Sequence, residues 1–149
     1  MQNNIQEVKK ILYKHMDQLV DRYDIQLIYI FGSYAKGINR ENSDLDIAMY
    51  LDGKPEPLVK LDILDDLVRI FRREDIDLVI LNQVNMVLQF QVIKYGEVIY
   101  MKDLLTKVLY ESKVMSRYMD MEYFRNVQNE IGHRKFLEMF KGDDDVKSK

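Results

Sequence analysis

A glycine–serine pair lies between two apolar segments of this chain, and two aspartates follow it at a short distance. The apolar segment Leu27–Phe31 ends at Gly32-Ser33, and after ten further residues Asp44-Leu45-Asp46 begins a second apolar segment. Alternation of this kind predicts a strand, a tight turn and a second strand. Gly37 is placed to end a one-turn helix that begins near the serine. From average residue usage, a Gly-Ser pair, a ten-residue gap and an Asp-x-Asp sequence should occur together by chance in roughly one chain in several hundred of this size.

The residue types at this turn suit phosphate and metal chemistry. Side chains two apart on a strand share a face, so Asp44 and Asp46 point the same way. Two neighbouring carboxylates repel each other unless a cation neutralises them, and oxygen ligands together with phosphates suit Mg²⁺. Gly32 allows close approach of the backbone, while the hydroxyl of Ser33 and the N–H groups of a helix start attract anions. The pattern therefore indicates nucleotidyl transfer; the plainer interpretation is a turn followed by a strand.

These residues resemble the signature of the DNA polymerase β-like nucleotidyltransferase superfamily. The compact length resembles that of its minimal nucleotidyltransferase branch, the antitoxin partner of HEPN ribonuclease toxins. The sequence from Leu88 to Tyr100 is also similar to that branch. The resemblance covers about residues 5 to 103. It implies an α/β (α+β) fold in which helices flank a short mixed β-sheet and a long C-terminal helical segment follows.

A third carboxylate lies on the next predicted strand, residues 76–81. The branched apolar residues of this strand predict a central position, buried on both faces, where Asp77 is out of place. A helix predicted over residues 58–72 permits a right-handed crossover that makes this strand parallel to the second one. The superfamily carries its third carboxylate on such a strand, and Asp77 matches that position. Asp75, two residues earlier, is the alternative, and an aspartate satisfied by solvent is the plainer interpretation.

Lys36 lies within reach of the expected phosphate site. The family more often has arginine at this position, and lysine offers a point charge without the bidentate fork. We predict a nucleotide contact from Lys36, with plain solvent exposure as the alternative.

The length of 149 residues predicts one domain. We expect a nucleotidyltransferase domain over 1–102, a C-terminal helical extension of the same domain over 103–141, and a flexible charged tail over 142–149. Asp103 is placed to cap the long helix and Gly132 to break it. The helix carries more apolar residues than a thin flank buries, which indicates either a protein interface or packing against its own sheet.

Composition excludes several classes of function. Cysteine is absent, so there is no disulfide framework or thiolate metal site. No run of about 18 apolar residues predicts a membrane span, and the polar N-terminus lacks a signal pattern, which together predict a cytoplasmic protein. The formal net charge of −3 disfavours direct sequence-specific binding of a long nucleic acid and favours small nucleotides or a protein as substrate.

The family resemblance implies a specific reaction, transfer of AMP from ATP to a tyrosine of a HEPN ribonuclease toxin, which silences the toxin. It implies two Mg²⁺ ions as cofactors, with ATP as substrate and the toxin as partner. Asp44 and Asp46 would bind the metals, and Asp77 would hold the metal at the acceptor hydroxyl. Gly32 and Ser33 would hold the β- and γ-phosphates.

Two other functions remain open at this point. One is a small-molecule nucleotidyltransferase of the aminoglycoside-modifying type, although such enzymes usually carry an extra acceptor-binding domain and the chain after Asp103 is small for one. The other is a non-catalytic antitoxin that blocks its partner sterically. The concentration of like charge at Asp44, Asp46 and Asp77 gives no advantage to binding alone.

Overall fold

The computed structural model describes the backbone of residues 4–147 and the side chains of residues 4–139. This part of the chain forms five α-helices and four strands, and it divides into two units after Val114. The elements in chain order are α1 (Ile5–Tyr23), β1 (Ile25–Phe31), α2 (Gly32–Lys36), β2 (Leu45–Leu51), α3 (Val59–Phe71), β3 (Ile76–Ile80), a 3₁₀ turn (Leu81–Gln83), α4 (Met86–Tyr95), β4 (Glu97–Met101) and α5 (Leu104–Lys147).

The four strands form one mixed sheet in the order β3-β2-β1-β4. Strand β1 is antiparallel to both β2 and β4, whereas β2 and β3 are parallel. Helix α3 connects the two parallel strands, which confirms the predicted crossover and the mixed α/β sheet. The β2–β3 pairing places residues that are about 30 positions apart in sequence directly beside each other.

Strand β3 lies at the edge of the sheet, so its predicted central position is wrong. Its apolar residues are nevertheless buried on both faces, because Ile76, Leu78 and Ile80 join one core while Val79 joins the other. An edge strand covered by helices on both faces has the same apolar pattern as a central strand. Sequence pattern alone could not separate the two positions.

The two faces of the sheet carry separate cores. Leu45 and Ile47 of β2 pack in the core formed with α1 and α3. Ala48 packs in the second core, which includes residues of α4 and the start of α5. Because side chains alternate along a strand, Asp46 lies on the same face of the sheet as Ala48. Asp46 therefore lies beside the second core, at the border where that face of the sheet meets solvent.

Side-chain caps begin helices α1, α4 and α5, at Asn4, Asn85 and Asp103, and only the cap at Asp103 was predicted. The backbone N–H of Glu7 donates to the side chain of Asn4 at 3.0 Å at the start of α1. The N–H of Thr106 donates to Oδ1 of Asp103 at 2.7 Å at the start of α5, as predicted. These hydrogen bonds satisfy N–H groups that have no partner within the helix.

Helix α5 differs from the prediction in one respect, since it continues through Gly132 to Lys147 without a break. A single glycine costs a helix only about 1 kcal/mol relative to alanine, which its neighbours can offset. Side chains from residue 140 onward and residues 148–149 lie outside the described part, so the tail over 142–149 and the domain limits remain predictions. Within residues 4–147, no helix has an apolar stretch of sufficient length to cross a membrane.

The apolar residues of α5 were expected either to pack against the sheet or to form a protein interface. Within the first unit, some of them are buried and others are exposed. Tyr110 and Val114 are buried in the second core, so this part of the helix packs against its own sheet. Leu104, Leu105 and Leu109 instead expose more than 60% of their surface. The second unit, described by itself, is helical and also exposes large apolar side chains, among them Met119, Tyr123, Phe124, Phe136 and Met139.

Candidate active site

The turn that follows β1 depends on a glycine. Gly32 has φ +69°, a left-handed conformation that other residues rarely adopt, and it begins the five-residue helix α2. Gly37, with φ +72°, ends this helix, and its N–H donates to the carbonyl of Tyr34 at 3.2 Å. The predicted turn and one-turn helix are therefore confirmed.

The backbone of Gly32 lies directly against the carboxylate of Asp46. Phe31 pairs with Asp46 in the antiparallel β1–β2 ladder, so the next residue of the turn passes over that side chain. A Cβ atom on Gly32 would lie 2.1 Å from Oδ2 of Asp46, a distance that no side chain can adopt. The sequence therefore brings the turn and the second aspartate of the pair into direct contact.

The third predicted carboxylate is adjacent to the same residue. Asp46 and Asp77 are direct partners in the parallel β2–β3 ladder. Asp46 is partly buried, whereas Asp44 and Asp77 are exposed. The pKa of Asp46 is raised to about 6, first by burial, then by the negative charges of Asp77 and Asp44, and also by a hydrogen bond with Asp77. The negative charges of Asp77 and Asp44 therefore add to the effect of burial on Asp46.

The donor set fits a hard divalent cation. Asp44, Asp46 and Asp77 provide only carboxylate oxygens, the ligand type that Mg²⁺ prefers. A cation would relieve the repulsion that raises the pKa of Asp46. Among the residues that the structure describes, no group of three or more acidic, histidine or cysteine side chains is arranged so that it could hold a metal ion by itself. Oxygens of a nucleotide and water usually complete a magnesium site of this kind.

Two of the three carboxylates, those of Asp44 and Asp77, border an open depression of about 310 Å³, and the lining residues are Asp44, Glu74, Asp75, Ile76 and Asp77. Four of the five lining residues are acidic. The depression opens beside the start of β3, where Asp77 is exposed. A reacting group can therefore reach Asp44 and Asp77 from solvent.

The two remaining predicted site residues lie on the turn. Ser33 is the second residue of α2 and is partly buried, and Lys36 is its last residue and is exposed. Both are on the same short helix as Gly32, close in sequence to the contact with Asp46. Their contacts with a nucleotide remain predictions.

Arg73 is a residue of this region that sequence reasoning missed. Its guanidinium donates to both carboxylate oxygens of Asp75, from Nε at 2.5 Å and from Nη2 at 2.6 Å. Asp75, the alternative third carboxylate, is thus paired with a cation that lowers its pKa, whereas Asp77 faces Asp46. An arginine two residues before an aspartate in a turn is too common a pattern to signal this arrangement.

A second depression, of about 220 Å³, lies away from these carboxylates between α1 and α3, with His15 in its lining. Its buried carboxylate, Asp66, already accepts hydrogen bonds from Arg22, Arg69 and the hydroxyl of Tyr23. A carboxylate with these partners is a satisfied structural group. The carboxylates at the starts of β2 and β3 are therefore the better candidate for chemistry.

Comparison with known proteins agrees with this geometry. A family model described as "Polymerase beta, Nucleotidyltransferase" matches residues 6–104. A protein of Methanocaldococcus jannaschii, provisionally named a protein adenylyltransferase, is 36% identical over 80 residues, which are 54% of this chain and 92% of that protein.

Solved structures with a similar fold include chains of toxin–antitoxin complexes. A chain of a toxin–antitoxin complex crystallised with AMP-PNP is similar with a TM-score of 0.65 and 28% identity, over 76% of this chain and 92% of that one. A chain from the tri-AMPylated Shewanella oneidensis HEPN toxin in complex with MNT antitoxin is similar with a TM-score of 0.64 and 26% identity, over 83% of this chain and 94% of that one.

Proposed function

We propose, from the premise that this chain belongs to the polymerase β nucleotidyltransferase family, that it transfers AMP from ATP to a tyrosine of a HEPN ribonuclease toxin. It would thereby act as the antitoxin of that toxin. The observation that carries the proposal is the junction of Gly32, Asp46 and Asp77, which joins a phosphate-binding type of turn to an acidic pair. The similar toxin–antitoxin complexes, one with AMP-PNP and one with an AMPylated toxin, support ATP as substrate and the toxin as acceptor.

The reaction is an in-line displacement at phosphorus. The hydroxyl oxygen of the acceptor tyrosine attacks the α-phosphorus of ATP and forms a new P–O bond. The bond from the α-phosphorus to the oxygen that bridges it to the β-phosphorus breaks, and pyrophosphate leaves with that oxygen. Gly32 and Ser33 would hold the β- and γ-phosphates, with Lys36 as a further cationic contact. ATP as substrate agrees with the cytoplasmic location expected from the sequence.

The three carboxylates would divide the remaining tasks. Asp44 and Asp46 would hold Mg²⁺ at the nucleotide, and Asp77 would hold Mg²⁺ at the acceptor hydroxyl and help to remove its proton. Bound Mg²⁺ supplies charge neutralisation and lowers the pKa of the attacking hydroxyl. The exposed position of Asp77 suits contact with an acceptor that arrives from solvent.

Silencing of the partner follows from the product. An AMP group on a tyrosine adds bulk and a negative phosphodiester charge. Negative charge beside an RNA-binding surface repels the phosphates of the substrate, as phosphorylation does at other interfaces. A catalytic antitoxin of this kind acts on many toxin molecules in turn, whereas a steric inhibitor must remain bound to each one.

The test uses α-labelled ATP, Mg²⁺ and the HEPN-type protein encoded beside this chain. We expect wild type to label that protein and Asp46→Asn to lose at least about 100-fold in rate, because one metal ligand and its charge are removed. Asp65→Asn is the matched control, since Asp65 lies on the outer side of α3 with 72% of its side chain exposed. The control should label at the wild-type rate.

Two outcomes would contradict the proposal. One is an unlabelled partner protein with wild type and Asp46→Asn indistinguishable. The other is full neutralisation of the toxin by the Asp44/Asp46 double variant, which would favour steric inhibition. Label on an aminoglycoside instead of the protein would assign the chain to the small-molecule enzymes.

A further inference from the structure

Arg73 connects three segments that surround the carboxylates. It follows Arg72, the left-handed residue that ends α3, and only 13% of its side chain is exposed. Its guanidinium contacts the start of β3, the loop before β2 and the helix α2. The partners are the carboxylate of Asp75, the carbonyl of Ser43 and the hydroxyl of Tyr34.

The contact with Asp75 fixes the start of β3. Two N–H groups of Arg73 donate to the two oxygens of Asp75, a bidentate pairing that is stronger and more directional than a single hydrogen bond. Asp75 is therefore held by Arg73, and Asp77 is the carboxylate of β3 that pairs with Asp46.

The contact with Ser43 fixes the backbone on one side of Asp44. Nη2 of Arg73 donates to the carbonyl of Ser43 at 2.9 Å. On the other side of Asp44, the N–H of Leu45 donates to the backbone carbonyl of Asp75 at 2.9 Å. Asp44 is exposed, but its two neighbours in the chain are both tied to the Arg73–Asp75 turn.

The contact with Tyr34 fixes α2. Nη1 of Arg73 donates to the hydroxyl of Tyr34 at 2.8 Å, and the guanidinium carbon lies 5.6 Å from the centre of the tyrosine ring. Tyr34 is 2% exposed and immediately follows Gly32 and Ser33. A movement of Arg73 would therefore be transmitted to the turn that lies against Asp46.

We propose that Arg73 is a positioning residue for nucleotidyl transfer, which holds the Gly32-Ser33 turn and Asp44 in a fixed relation to β3. The inference rests on the proposed function and adds to it a residue that acts through its contacts with Tyr34, Ser43 and Asp75. An arginine is needed because its planar fork reaches three acceptors at once, whereas a lysine has the charge without the fork. Misplacement of reacting groups by about 1 Å can cost about 100-fold in rate.

The experiment compares Arg73→Lys, Arg73→Met and Tyr34→Phe with Arg69→Lys and Arg69→Met. Arg69 is a matched control. It lies in the last turn of α3, four residues before Arg73, and it pairs with the carboxylates of Asp65 and Asp66, away from the site. Three quantities are measured for each variant: the thermal unfolding midpoint, the Kd for AMP-PNP with Mg²⁺ by calorimetry, and kcat for AMP transfer.

We expect Arg73→Lys to lower kcat about 10- to 100-fold and to raise the Kd for AMP-PNP several-fold, because the turn and Asp44 lose their shared anchor. Tyr34→Phe should have a smaller effect, since it removes one of the contacts of Arg73. In the Arg73→Lys background, Tyr34→Phe should add little, because residues that act through one contact are not additive. The two Arg69 variants should keep the kcat and Kd of wild type.

The inference is overturned if folded Arg73→Lys has kcat and Kd within twofold of wild type, or if only its unfolding midpoint falls. Additive effects of Tyr34→Phe and Arg73→Lys would also overturn it. Should Arg73→Met fail to fold, Arg73→Lys and Tyr34→Phe decide the question. If wild type transfers no AMP, the proposed function fails, and the AMP-PNP affinities still show whether Arg73 positions the nucleotide site.

Discussion

The backbone of Gly32 fills the space beside the carboxylate of Asp46, where a methyl group would lie 2.1 Å from Oδ2. Gly32→Ala must therefore displace either the turn or the aspartate. We expect a loss of transfer activity of at least about 100-fold, since the displaced groups are those proposed to hold the metal and the phosphates. Steady-state kinetics with α-labelled ATP measures the loss.

Gly37→Ala is the matched control for that substitution. Gly37 has nearly the same backbone conformation, φ +72°, but no atom lies within 4 Å of its added Cβ. Both variants should lose about 1–2 kcal/mol of unfolding free energy from the left-handed strain. Only Gly32→Ala should lose activity beyond a few-fold, and equal losses in the two variants would contradict a specific contact with Asp46.

The metal-free protein should become less stable as the pH rises through the range of about 4 to 6. The native pKa of Asp46 is about 6 against an ordinary value of 3.8, so the native state binds the proton more tightly than the unfolded chain. Stability from this group is present below pH 4 and is lost as the carboxyl ionises. Urea unfolding in the presence of a chelator, repeated across this pH range, measures the trend.

Asp46→Asn isolates this contribution. At pH 8 the variant lacks the repelled charge, and we expect its unfolding midpoint to rise by about 2–4 °C, equivalent to about 1 kcal/mol after allowance for solvent screening. The difference from wild type should shrink at pH 4, where the wild-type residue is protonated. A variant that is less stable than wild type at pH 8 would contradict the electrostatic explanation.

The start of α5 should be anchored to the sheet by Tyr29. This residue is 1% exposed, and its hydroxyl donates to Oε2 of Glu111 at 2.7 Å. Tyr29→Phe leaves the carboxylate without this donor, and we expect a loss of about 1–3 kcal/mol in unfolding free energy. Tyr95→Phe is the control, since Tyr95 is 53% exposed and its loss should be below about 0.5 kcal/mol. Equal losses would contradict the anchor.

Gly96 and Gly132 should respond to alanine in opposite directions. A Cβ on Gly96 would lie 2.4 Å from the carbonyl oxygen of Val92, so Gly96→Ala should cost about 1–3 kcal/mol. Gly132 lies within α5, where an added Cβ meets no atom within 4 Å, so Gly132→Ala should increase helix stability by about 0.5–1 kcal/mol. Thermal unfolding followed by circular dichroism measures both, and a destabilised Gly132→Ala would contradict the unbroken helix.

Local patterns were sufficient to predict the elements around the site. Strand alternation and turn residues predicted β1, α2 and β2, and the second apolar segment, which begins at Asp44-Leu45-Asp46, forms β2 from Leu45 to Leu51. The crossover argument brought Asp77 beside Asp46 because a helix between two strands favours a parallel pair. These features depend on neighbours in sequence or on a single topological rule.

Other features depend on contacts that sequence does not encode locally. The position of β3 at an edge is set by which strands pair with β1. Because helices bury both faces of β3, its apolar pattern is the same as that of a central strand. Arg73 became visible only when its partners, 30 and 39 residues away, were placed in space. The continuity of α5 through Gly132 reflects a balance of about 1 kcal/mol that a residue type cannot decide.

The edge position of β3 has a consequence for the size of the acceptor. Asp77 has β2 on one side and, among the described residues, no further strand on the other. If β3 were an internal strand, a further strand would cover the carboxylates on that side, and only a slender acceptor could reach them. At an open border, a folded macromolecule can present one of its own loops without having to unfold or thread a side chain through a channel.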